Sequence, residues 1–213
     1  MNIGIRQLAS AAATATATPQ VAPPDALDET LIRHIACGDR RAMRTLFVRH
    51  QLRVYRFVLR IVNDRSAAED VITEVFFDVW KKAGRFEGRS AVSTWLLGIA
   101  RHKALTAVAK PRPAESLDDV QASNVIDPAD DPETAMHRKE QQTLVRHCLR
   151  ALSPEHGQII DLVYYQEKST REIAEILGIP DSTVKTRMFY ARRRLAMLIE
   201  AAEAERPVPH SVH

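Results

Sequence analysis

STREIAEILGIPDSTVKTRMFYARRRLAMLI, residues 169–199, spells two helices with a tight turn between them. Ser169 followed three residues later by Glu172 is a capping box, so a helix is expected to start there. Ile173, Ala174 and Leu177 give that helix one apolar side. Gly178 can adopt the left-handed conformation that ends a helix, and Pro180 blocks continuation. Asp181 is then expected to cap a second helix, in which Val184, Met188, Ala191, Leu195 and Leu198 repeat at helical spacing. Lys185, Thr186, Phe189 and Tyr190 fall off that stripe, and Arg187, Arg192, Arg193 and Arg194 add positive charge. A short helix, a three-residue turn and a longer basic helix follow the helix-turn-helix plan for entering a major groove. The competing reading is a helical hairpin whose arginines are merely solvated.

The rest of the composition is permissive. A chain of 213 residues has room for one large or two small domains. With 45% hydrophobic and 27% charged residues it reads as a globular protein, and only 7 glycines with few alternating β-branched runs favour an all-α fold. The formal charge of +3 is too mild to imply nucleic acid by itself, but its distribution is uneven: the last helix is basic, and residues 115–133 are acidic. Cys37 and Cys148 lack metal-site spacing and read as two packed thiols in a reduced compartment, so no metal and no cofactor is expected. No run reaches the length of a membrane span, and no Gly-rich phosphate loop or acid–base constellation suggests an enzyme.

Residues 1–27 are of low complexity and are expected to form a disordered tail, a signal peptide being disfavoured by the weakly apolar Ala/Thr run. Helical patterning starts at Asp28. Leu31, Ile32 and Ile35 suggest a short helix ending near Gly38, and Asp39 can cap a longer one that Asn63-Asp64 breaks. Ser66 and Glu69 look like a second capping box, opening a helix whose core face is Val71, Ile72, Val75, Phe76, Val79 and Trp80. Its other side shows Glu69, Asp70, Glu74 and Asp78, an acidic face that the pattern alone reads as solvated. KKAGRFEGRS, residues 81–90, is a basic loop holding Phe86 as an exposed aromatic. Such a loop suits unpaired bases, which stack on rings while phosphates meet Lys and Arg, although a loop Phe also commonly tucks into its own domain. A helix from Ala91 to about Val108 buries Trp95, Leu96 and Ile99 and presents Arg101, His102 and Lys103. Residues 111–132 read as an acidic, proline-bearing linker that reaches on the order of 70–80 Å if extended, more than two ~34 Å turns of B-DNA. A second helical unit spans 133–200, with Ser153 as N-cap before Pro154, and 201–213 form a polar tail.

The segments AAEDVITEVFFDVWKK (67–82) and RFEGRSAVSTWLLGIARHKAL (85–105) resemble region two of bacterial RNA polymerase sigma factors of the extracytoplasmic-function subfamily. ALSPEHGQIIDLVYYQEKSTREIAEILGIPDSTVKTRMFYARRRL (151–195) resembles that subfamily's region four. The resemblance implies a cytoplasmic bacterial protein, nucleoid-associated when active, that binds and does not catalyse. Asp70, Glu74 and Asp78 would dock on the clamp helices of core RNA polymerase. Arg85, Phe86, Arg89 and Ser90 would hold a base flipped from the melted non-template strand, and Arg101, His102 and Lys103 would read the adjoining duplex. Ser182, Thr183, Lys185, Thr186, Arg187, Phe189, Tyr190 and Arg192 of the recognition helix would meet the farther promoter element. An anti-sigma factor is the expected regulator, with no membrane insertion. Three departures bear on which bases are recognised: Thr73 where glutamine is usual, His102 for a common asparagine, and Glu87 and Arg89 in reversed charge order around Gly88. Two alternatives stand beside this reading. A stand-alone helix-turn-helix regulator would need a receiver or ligand domain, and residues 28–110 lack βα alternation. A helical adaptor that binds only proteins leaves the basic helix and the Phe86 loop unexplained.

Overall fold

The computed structural model describes residues 24–110 and 143–204, and every regular element among them is helical. In order these are α1 (Pro24–Ala36), α2 (Arg40–Val62), α3 (Arg65–Lys82), one 3-10 turn (Ala83–Arg85) and α4 (Val92–Ala109). Then come α5, described over residues 143–150, α6 (Pro154–Tyr164), α7 (Thr170–Leu177) and α8 (Asp181–Ala204). The expectations for the 1–27 tail and the 111–132 linker fall outside the described residues, apart from the start of α1. The C-terminal tail begins later than expected, because α8 continues to Ala204.

Local chemistry accounts for most helix ends. Asp39 caps α2 by accepting from the Arg41 and Ala42 amides at 2.7 and 3.2 Å, and those two hydrogen bonds hold its carboxyl below the usual range. Asn63 ends α2 in the left-handed region at φ 53°, its N–H donating to the Leu59 carbonyl. The next residue, Asp64, caps α3 by accepting from Ala67. The expected Ser66–Glu69 capping box is therefore overturned: Asp64 takes the N-cap, and Ser66 falls inside the first turn. The link between α2 and α3 is so short that the C-cap of one helix and the N-cap of the next are consecutive residues.

The first four helices pack around Leu46, Val54, Phe57 and Val58 of α2, Val71, Val75 and Val79 of α3, and Leu96 and Leu97 of α4. Ala67, Ala68, Ala100 and Ala104 are fully buried, and their small side chains let α3 and α4 approach closely. Asp28 is buried on α1, where it pairs with Arg49 and with His50 Nε2 at 2.6 Å and so ties α1 to α2.

The C-terminal unit does not keep to itself. Ile159, Leu162, Ile173, Ile176, Leu177 and Val184 join the same apolar cluster as the first four helices, with α7 lying against α4 and α6 against α2. A smaller cluster of Leu152, Ile160 and Ala191 holds α8 to α6. Polar contacts border the joint. Arg53 donates to the side chain of Gln166 at 2.8 Å and to its backbone carbonyl. Arg60 pairs with the buried carboxylate of Asp161 and lies 3.9 Å from the Tyr165 ring centroid. Lys168 reaches Ser93 at 2.7 Å and Glu172 at 2.8 Å, while the Thr94 hydroxyl donates to Glu172 at 2.6 Å. In the structure the two units form one packed body.

Candidate nucleic-acid and polymerase interface

The helix-turn-helix forms as its sequence dictates. Ser169 Oγ accepts from the Glu172 amide at 3.3 Å, and Glu172 Oε2 accepts from the Ser169 amide at 2.9 Å, completing the capping box. Gly178 sits at φ 66°, a conformation a β-carbon would strain, and ends α7. One detail differs: Asp181 is the first residue of α8, and the Thr183 and Val184 amides donate to the Pro180 carbonyl. The Asp181 carboxylate instead pairs with Lys185 at 2.6 Å, and hydrogen bonds from Lys185 and then Thr170 hold its carboxyl below the usual range.

On α8, Val184 and Ala191 are fully buried and Met188, Leu195 and Leu198 half-buried. Ser182, Lys185, Thr186, Phe189, Tyr190, Arg192, Arg193 and Arg194 are exposed, together making a basic face with two aromatic rings. Phe189 and Tyr190 meet edge to face at 5.4 Å. Thr183 is half-buried, and Arg187 is half-buried with its guanidinium 3.8 Å from Glu155. Arg192 lies 5.6 Å from the Tyr164 ring.

The residues expected to contact polymerase sit on α3 in different states. Asp70 and Glu74 are exposed, but Asp78 is half-buried and bound by Lys82 at 2.7 Å. Lys103 of α4 bridges Glu74 at 3.2 Å and Asp78 at 3.5 Å; the Glu74 contact foremost raises its pKa, and Lys82 foremost lowers that of Asp78. Lys103 is thus engaged with the acidic helix and not free beside Arg101 and His102. Next to the carboxylates runs a groove lined by Gln51, Leu52, Tyr55, Glu69, Ile72 and Thr73. Val48, Leu52 and Phe77 on the two helices that frame it remain more than half exposed. Sequence reading passed over them, although Val48 and Leu52 stand one turn apart on α2 outside its core stripe.

The loop after α3 departs from expectation at its aromatic. Phe86 is half-buried, with its ring 5.1 Å from that of Trp95. Arg85, Glu87 and Arg89 are exposed, Arg89 and Glu87 paired at 2.5 Å, and Ser90 is half-buried. Gly88, at φ 67°, turns the chain between them. Trp95, expected only as core, is half-buried and becomes the second ring of this site. On α4, His102 is exposed, whereas Arg101 is half-buried and donates to Gln158 of α6 at 3.3 Å. Cys37 is exposed, contrary to the expected packed thiol, and Cys148 is buried. Among the described residues no group of His, Cys, Asp and Glu could hold a metal ion, and no helix is long and apolar enough to cross a membrane.

The family described as sigma-70 region 2 matches residues 46–112, and sigma-70 region 4 matches residues 142–195, together more than half of the chain. The chain is similar to the RNA polymerase sigma-H factor of Pseudomonas aeruginosa, with 29% identity over 176 residues covering 79% of this chain and 91% of that protein. It is similar also to the ECF RNA polymerase sigma factor SigK of Mycobacterium tuberculosis, 28% identical over 177 residues, 82% of this chain and 94% of that one. Among solved structures, CnrH in complex with the cytosolic domain of CnrY matches with a TM-score of 0.61 at 22% identity, covering 82% of this chain and 98% of CnrH. The sigma factor RpoE in complex with the anti-sigma factor NepR, from Bartonella quintana, matches with a TM-score of 0.56 at 20% identity, covering 74% and 96%. These structural likenesses are likenesses of fold. The two matched regions, in this order and on this helical frame, place the chain in the extracytoplasmic-function subfamily of sigma factors: it is an alternative sigma factor that binds core RNA polymerase and promoter DNA to initiate transcription.

Proposed function

We propose that the labour of initiation is divided between residues 28–110, which hold polymerase and open the promoter, and residues 133–200, which anchor the complex upstream. The exposed carboxylates of Asp70 and Glu74 stand on α3, the helix whose Glu69, Ile72 and Thr73 line a groove with Gln51, Leu52 and Tyr55 of α2, a surface suited to a partner that is both basic and apolar. Asp78 acts from behind, holding Lys82 and Lys103 in place. Phe86 of the loop and Trp95 at the start of α4 offer two half-buried rings, tilted 52° to each other, and Arg85 and Arg89 offer charge for the backbone of an unpaired strand. Each stacked base contributes about 1–3 kcal/mol, so capture of a few bases offsets the cost of parting the duplex without nucleotide hydrolysis.

Upstream, the exposed face of α8 enters the major groove, with Ser182, Lys185, Thr186, Phe189 and Tyr190 toward bases and Arg187 and Arg192 toward phosphates. Arg101 and His102 read duplex beside the opened bases. Arg101 is engaged with Gln158 in the packed arrangement, so promoter binding draws the two units apart. An anti-sigma factor restrains the protein, which works in the bacterial cytoplasm at the nucleoid.

The observation that carries this reading is the outward basic face of α8, opposite the side on which Val184 and Ala191 are fully buried. Run-off transcription with purified core polymerase and a genomic promoter library tests it. Replacing Lys185 and Thr186 with alanine is expected to abolish promoter use while core binding persists. Operator binding without polymerase, or loss of core binding in that variant, would overturn the assignment of α8.

A further inference from the structure

Three of the hydrogen-bonding side chains at the start of the α8 face are engaged with protein neighbours. Lys185 is paired with Asp181 at 2.6 Å. The Thr186 hydroxyl donates to the Ser182 carbonyl at 3.0 Å, which spends its proton and leaves its methyl and its acceptor lone pairs uncommitted. Arg187 is half-buried beside Glu155. Beyond them stand Phe189, 61% exposed, and Tyr190, 53% exposed.

Phe189 lies five residues after Val184, about 140° around the helix from that fully buried side chain. It holds nothing in the core. A single exposed apolar residue is ordinary on any surface. Here, however, the ring sits on a basic face one helical turn beyond Thr186 and is steadied edge to face by its neighbour Tyr190. A phenyl ring has no polar edge, so it cannot read the donor and acceptor pattern of a base pair. The base-specific apolar feature in the major groove is the C5-methyl group of thymine.

We infer that Phe189 reads the methyl group of a thymine in the upstream promoter element, with the Thr186 methyl and the Tyr190 ring closing the contact around it. This rests on the reading that α8 enters the major groove. The recognition is by shape and burial, so it discriminates through the methyl alone and leaves base pairing untouched.

The test uses the full chain with core polymerase and duplexes selected from a randomised library. Each thymine of the selected upstream element is replaced in turn by uracil, which lacks only the methyl. One position is expected to lose about three- to fivefold in affinity, the effect of burying one methyl group. Phe189→Ala is expected to bind the thymine duplex as weakly as the uracil duplex, and Phe189→Leu to keep the difference. Equal affinity for thymine and uracil at every position, or a difference that survives Phe189→Ala, would overturn the inference and leave α8 as the DNA reader. Selection of no upstream element at all would overturn both.

Discussion

The carboxylate of Glu172 caps α7 through Ser169, accepts from Thr94 across the joint between the units, and pairs with Lys168. Burial opposes its ionisation, but the hydrogen bonds from Lys168, Thr94 and Ser169 prevail and hold its pKa at about 2, against an ordinary 4.5. A depressed carboxylate contributes stability that is present above the unfolded pKa and is lost as pH falls through the folded one. The window is therefore pH 4.5 down to about 2. Glu172→Gln is expected to lower stability at neutral pH by about 1–3 kcal/mol and to flatten this part of the acid limb relative to the parent chain. Urea unfolding of both proteins at a series of pH values checks this. Parallel acid limbs in the two would contradict the assignment. Asp39, Asp78 and Asp181, also held low, titrate equally in both proteins and cancel in the difference.

At the scale of the element, what was legible in the sequence was local. The Ser169–Glu172 box, the left-handed Gly178 and the Ser153-Pro154 start need only neighbouring residues, and each forms as its spacing requires. The Ser66 box failed for an equally local reason, since Asp64 competes for the same cap two residues earlier. The surroundings of Phe86 and Lys103 were not legible, because their partners, Trp95 and the α3 carboxylates, are set by how α3 and α4 pack. In the proposed function, the pairing of those rings joins the loop and the start of α4 into one site. Phe86→Leu with Trp95→Leu keeps an apolar side chain at each position, smaller than the ring it replaces, and removes the stacking faces. That variant is expected to bind duplex promoter with core polymerase within about threefold of the parent, while the extent of opening drops roughly tenfold, within the range for one or two lost stacks. A fluorescent base analogue placed in the opened element reports this, and undiminished opening would show that the rings are core only.

At the scale of the whole molecule, the described helices form a packed arrangement that the proposed two-point grip on promoter DNA would have to loosen. Of the residues that would read duplex on α4, Arg101 lies at the joint, and the joint is bordered by charges whose partners come from the other unit. None of this was visible in the sequence, because two amphipathic units read alone do not disclose that their apolar faces share one cluster. Removing Arg60 leaves the buried Asp161 carboxylate without its cation. The cost is about 2 kcal/mol, below the usual range for a broken buried pair because Arg60 keeps 41% of its side chain exposed. Arg60→Ala is accordingly expected to expand the free protein in small-angle scattering without loss of helix content, and an unchanged radius of gyration would show that the apolar contact alone holds the units together. The central claim is that this chain lets core polymerase open a promoter. Permanganate reactivity of thymines around the transcription start, measured with the full chain and core polymerase and without nucleoside triphosphates, tests it most directly. The account predicts reactive thymines only when chain and core are both present. Unreactive thymines in that complex, on a promoter to which it demonstrably binds, would contradict it.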